Sequence, residues 1–120
     1  MRTILYVDEH TASTKRLSTW VRGAGYRCLV ASHPEEAERL FVANGVDLAI
    51  LRHGTDGKFA EALAARLRKI RPVKVLMLAT NAESEDVTKS VDLLLVRPET
   101  SETLLEAIAH LIEPEESRSW

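Results

Sequence analysis

The chain has 120 residues, 45% of them hydrophobic, with 16 Lys and Arg against 18 Asp and Glu and a formal net charge of -2. That length suits one compact domain, expected over residues 1–113 with a charged tail or linker start at 114–120, and the apolar share supports a core without disulfides or metals. Charges of both signs are scattered along the chain, whereas a nucleic-acid-binding or membrane-surface protein needs a concentrated basic face, so neither partner is expected.

The first apolar run, Thr3–Val7, reads as a strand with β-branched and aromatic members, stopped by Asp8 and Glu9. It is too short for a secretory signal, and no run approaches the roughly 20 apolar residues of a membrane span, so a cytoplasmic location is expected. Leu17, Trp20, Val21 and Ala24 recur at helical spacing over residues 11–24, and Gly25 provides the C-terminal stop. Arg27–Ala31 is a second strand. It holds the only cysteine, Cys28, which reads as a core residue in a reducing compartment.

Ser32 and Glu35 form a capping-box pair with Pro34 inside the first turn, and the helix that follows buries Ala37, Leu40 and Phe41. Asn44 and Gly45 close it. Residues 47–51 (DLAIL) give a third strand and Gly54-Thr55-Asp56-Gly57 a turn. Phe59, Leu63, Leu67 and Ile70 mark a third helix, which ends before Pro72. Residues 73–78 and Leu93–Val96 are the fourth and fifth strands. The polar stretch 81–90 between them supports only a short or irregular helix. Thr100 and Ser101 cap a last helix that buries Leu104, Leu105, Ile108, Leu111 and Ile112.

Strands this uniformly apolar are buried on both faces, which implies a parallel sheet with helices on either side. The expected fold is therefore α/β, a doubly wound five-stranded parallel sheet whose fourth helix of five is short or irregular. In such folds ligands bind beyond the carboxyl ends of the strands. The residues there are Asp8 and Glu9, Arg52 and His53, Ala79 and Thr80, and Arg97 followed by Pro98.

Four segments, YVDE, DLAILR, VLMLAT and LLLVRP, occur in this order and resemble the signature segments of the receiver domain of bacterial two-component response regulators. The resemblance covers residues 3–112. It implies a flavodoxin-like (βα)5 fold, an acidic pair that holds magnesium, and an aspartate ending strand three that a histidine kinase phosphorylates. It further implies a hydroxyl residue after strand four and a lysine before proline after strand five, both on the phosphoryl oxygens.

Only Asp8 and Glu9 match. The acceptor position is Arg52, whose guanidinium cannot be a carboxylate nucleophile. The hydroxyl position is Ala79, with Thr80 beside it, and the lysine position is Arg97. Leu94 stands where the family carries an aromatic on strand five. The loop after strand three and the segment 81–90 are each a few residues shorter than in the family, which affects the usual output surface. Strand ends one and three are neighbours in this topology, so Arg52 should reach Asp8 or Glu9. A pair 4 Å apart gains about 4 kcal/mol at a near-surface dielectric before desolvation. The expected site is thus a degenerate phosphorylation pocket of Asp8, Glu9, Arg52, Ala79, Thr80 and Arg97, with no catalytic residue, no metal and no cofactor, magnesium included.

The function expected is a pseudo-receiver: a phosphorylation-independent interaction module rather than an enzyme. Its candidate partners are signalling proteins, either a histidine kinase or a fused output domain, or a second copy in a homodimer. Two alternatives stand beside it. One is binding of a small anion or nucleotide by Arg52 and Arg97 at the strand-end pocket. The other is phosphorylation of a non-standard acid such as Asp56. His10, His33, His53 and His110 show no pair at metal-ligand spacing, and Trp20 reads as packing.

Overall fold

Alternate side chains of each strand enter two different cores, and this places every residue at the strand ends. The computed structural model describes residues 1–52, 58–79, 91–96 and 100–113, with 58 and 59 as backbone only. In chain order the elements are β1 (Thr3–Val7), α1 (Thr11–Gly23), β2 (Arg27–Ala31), α2 (Pro34–Ala43), β3 (Leu48–Arg52), α3 (Lys58–Ile70), β4 (Lys74–Ala79), β5 (Leu93–Val96) and α4 (Ser101–Ile112). The five strands form one sheet in the order β2-β1-β3-β4-β5, and every pairing is parallel.

On one face, Leu5 and Val7 of β1 and Ala49 and Leu51 of β3 pack with Ala37 and Phe41 of α2 and Leu63 and Leu67 of α3. On the other, Ile4, Tyr6, Leu48 and Ile50 pack with Leu17 and Val21 of α1 and Leu104 and Ile108 of α4. Helices on both faces explain why the strands lack an exposed polar stripe. Removing so much side-chain surface from water, at roughly 25 cal/mol per Å², is the main stabilising term.

The helix ends are closed by local chemistry. At the end of α1, Gly25 has a φ of 96°, its N–H donates to the Arg22 carbonyl, and the Tyr26 N–H donates to the Val21 carbonyl. This is the glycine-dependent stop expected from the sequence. The start of α2 differs from the expected Ser32–Glu35 box by one residue. His33 is the N-cap, its Nδ1 accepts the Glu36 N–H, and the Glu36 carboxylate accepts the Ser32 N–H. Pro34 fixes the first helical position and so shifts the reciprocal pair to His33 and Glu36. Asn44 ends α2 by donating its side-chain amide to the Leu40 carbonyl. Thr100 caps α4, accepting the Thr103 N–H.

Strands β3 and β4 each begin and end one residue later than the sequence suggests. Asp47 falls outside β3 because it is used as a clamp: its N–H donates to the Thr3 carbonyl and its carboxylate accepts the Thr3 N–H. Ile70 is 42% exposed rather than core, because α3 is ending there. Cys28 is buried, and desolvation holds its thiol above the ordinary range. The stretch 81–90, the turn with Asp56, and the tail 114–120 lie outside the described residues.

Candidate functional site

The carboxyl ends of β1 and β3 lie side by side because Tyr6 pairs with Ile50 and Val7 with Leu51. One step further, Asp8 meets Arg52. The two-residue period of a strand puts Tyr6 and Asp8 on one face of β1, and Ile50 and Arg52 on the same face of β3. All four therefore point to the α1/α4 side.

The Asp8 side chain has no exposed surface, and that of Arg52 is 16% exposed. Asp8 Oδ2 accepts two hydrogen bonds, from Arg52 Nε at 3.0 Å and from the Tyr6 hydroxyl at 2.7 Å. Asp8 Oδ1 accepts the His10 N–H at 2.9 Å, just ahead of α1. Arg52 Nη2 lies 3.5 Å from the Tyr6 oxygen, which closes the group into a triangle. No buried side-chain polar atom among the described residues lacks a hydrogen-bond partner.

The electrostatics follow from this packing. Burial, reinforced by the hydrogen bond to Asp8, holds the Tyr6 phenol well above its ordinary pKa. Burial alone would lower the pKa of the Arg52 guanidinium, but the Tyr6 hydroxyl and the Asp8 carboxylate outweigh it and the net shift is upward. Both groups keep their protons throughout the physiological range. The cluster thus holds one negative and one positive charge with a neutral phenol between them.

Of the remaining expected site residues, the described ones, Glu9 and Ala79, do not join this group. Glu9 is exposed, so Arg52 engages Asp8 and leaves Glu9 to solvent. Ala79 is buried at the end of β4 and offers only a methyl group. Thr80 and Arg97 lie outside the described residues, as does His53. Leu94 is half-buried on β5 and packs against the α2/α3 core. Tyr6 is the member that composition and motif missed. Its position two residues before Asp8, on the same strand face, was the available signal.

A magnesium ion takes an octahedral set of hard oxygen ligands, some of them water. Among the described residues, the strand ends do not supply such a set. Position 52 contributes a cation in place of an oxygen, position 79 contributes no donor atom, and Asp8 is already engaged at both oxygens. Among the described residues, no three His, Cys, Asp or Glu side chains are grouped closely enough to hold a metal ion.

No protein-family model matches the chain, and none of the curated proteins does. Solved structures do. The receiver domain of a response regulator from Methanospirillum hungatei superposes with a TM-score of 0.85 at 22% identity, covering 99% of each chain. The chain has the receiver fold. TrrA, a response regulator from Thermotoga maritima solved in complex with magnesium and beryllium fluoride, matches at 25% identity and TM-score 0.82, over 92% of this chain and 99% of its own. The receiver domain of an HD domain-containing protein from Pseudomonas fluorescens matches at 21% identity and TM-score 0.82, over 98% of this chain and 90% of its own. In all of them the receiver fold spans nearly the whole matched chain. No helix among the described residues is long and apolar enough to cross a membrane.

Proposed function

We propose that this chain is a signalling module of the receiver type that acts through a fixed surface, without aspartyl phosphorylation and without a metal at Asp8. The observation that carries this reading is the Arg52–Asp8 ion pair of 3.0 Å at the carboxyl end of the sheet. A guanidinium cannot accept a phosphoryl group in the way a carboxylate does, and here it also neutralises the acid that would otherwise recruit a cation. The pocket is held in one arrangement by internal bonds, so there is no charge change at Asp8 or Arg52 for a kinase to impose.

A module of this kind binds another signalling protein, a histidine kinase or an attached output domain, or a second copy of itself. The Pseudomonas fluorescens neighbour is a receiver within an HD domain-containing protein, which shows the fold joined to a further domain in that protein. Enzymatic turnover is not part of the proposal, since the triangle presents no nucleophile with a free base. Binding of an anion by Arg52 is disfavoured by the same contacts, because Asp8 and Tyr6 already engage its fork.

The test is incubation with acetyl phosphate and magnesium, followed by intact-protein mass measurement. No mass gain is expected. A saturable gain of one phosphoryl group, removed by an Asp→Asn change such as Asp56→Asn, would replace this reading with that of a working receiver using an unusual acceptor.

A further inference from the structure

We infer that Tyr6 is a second and separate determinant of cation exclusion at Asp8, so that an acid placed at position 52 by itself recreates only a weak metal site. This rests on the reading above that the strand end works without a metal, and it adds a residue which that reading does not require.

Arg52 and Tyr6 hold the same oxygen of Asp8, but they are anchored differently. The Arg52 side chain retains 16% exposure at the rim of the sheet. Tyr6 has none: its ring belongs to the core with Leu17, Ile50 and Leu104, and only the hydroxyl emerges to meet Oδ2 at 2.7 Å. Removing the guanidinium leaves that O–H···O bond in place, along with the His10 N–H on Oδ1. The carboxylate stays tied to the sheet by these two bonds. A cation approaching Oδ2 would compete with the phenol for that oxygen, and displacing the hydroxyl would leave it buried without a partner, which costs about as much as one such bond. Tyr6 cannot swing aside, because close packing fixes its ring. It acts as a positioning residue for Asp8.

The experiment compares wild type, Arg52→Asp, Tyr6→Phe and the double variant Tyr6→Phe/Arg52→Asp, titrating each with manganese. This ion shares magnesium's preference for oxygen ligands and broadens nearby amide NMR signals. Amide spectra without metal establish that each variant is folded. Wild type and Tyr6→Phe are expected to show no saturable broadening at Asp8, Glu9 and His10. Arg52→Asp should bind weakly, and the double variant about tenfold more tightly, the equivalent of one lost hydrogen bond. Equal affinity for Arg52→Asp and the double variant overturns the inference about Tyr6 and leaves the metal-free reading intact. A folded double variant that does not bind also overturns it. Saturable binding by wild type overturns the metal-free reading itself. If the double variant does not fold, Arg52→Asn replaces Arg52→Asp in the same comparison, removing the guanidinium without adding a carboxylate.

Discussion

Both ends of the sheet pair an aspartate with an arginine, yet the two ends use the pair for different purposes. At the amino ends of the strands, Asp47 precedes β3 and Asp92 precedes β5. Each donates its backbone N–H to the neighbouring strand, to the carbonyls of Thr3 and Val75, and accepts that residue's N–H on its carboxylate at 2.8 and 2.7 Å. Their arginines, Arg2 and Arg68, sit at the water's edge, and Asp47 and Asp92 keep 34% and 28% of their side-chain surface. At the carboxyl end, Asp8 is sealed in with Arg52 and Tyr6. The same two residue types set strand register at one end and form a buried ion pair at the other. Burial makes the difference: an exposed pair gains little because water competes for both charges, whereas a sealed pair is costly to break from either side.

That contrast can be broken by substitution, and the largest effect is expected at Arg52. Arg52→Met leaves a fully buried carboxylate without its counter-ion and should cost about 3–5 kcal/mol in urea unfolding. Replacing Tyr6, Asp8 and Arg52 together by apolar residues of similar volume should cost less than this single change. A single-variant loss below about 1 kcal/mol would show that water reaches Asp8 and that the two ends are alike.

Tyr6→Phe should cost about 1–3 kcal/mol, since it withdraws one of the donors to Asp8 Oδ2. The same residue gives an alkaline signature. With its pKa raised by folding, the Tyr6 phenol loses its proton more readily in the unfolded chain than in the native one. Its contribution is whole below pH 10 and falls as pH rises beyond that, by up to about 1.4 kcal/mol per pH unit. Thermal melts between pH 9 and 11 should therefore decline more steeply for wild type than for Tyr6→Phe. Parallel slopes would mean that the phenol is not held protonated by its surroundings. Tyr26 is shifted in the same direction by desolvation and Glu113, but it is common to both proteins and cancels in the comparison.

At the other end, Asp92→Ala removes the acceptor of the Val75 N–H and should cost about 1 kcal/mol. Its amide-exchange effect should be confined to β4 and β5. Arg2→Ala is expected to change stability by less than about 0.5 kcal/mol, a small effect that added salt removes, because the Arg2–Asp47 contact is long and exposed. A larger loss would mean that this arginine supports the clamp rather than merely neighbouring it.

Much of the fold could be read from the chain before any coordinates. The uninterrupted apolar strands required cover on both faces, and the alternation of strand with helix left the doubly wound sheet as the natural solution. The ends of elements were harder. Asp47 looked like the first residue of a strand, but its carboxylate closes on the Thr3 backbone, a contact between residues 44 apart in sequence. Ser32 looked like a cap, and Pro34 at the first helical position moved that role to His33. At the site, an arginine at the end of the third strand, close to Asp8, could be expected from the chain, but the part played by Tyr6 could not. A tyrosine in an apolar run reads as core, and only burial on the Asp8 side turns its hydroxyl into a ligand for that acid.

The sequence by itself determined the strand and helix periodicities, the parallel sheet, and the residue types at the strand ends, because each follows from local patterning and from chain order. The tertiary structure decided which of two adjacent acids Arg52 would hold. Pairing of β1 with β3 puts positions 8 and 52 on one face, and the pleat turns position 9 away. It also decided how deeply that pair lies, through the helices that close over it. Depth controls both the cost of breaking an ion pair and the access of a cation, and no stretch of sequence carries it alone.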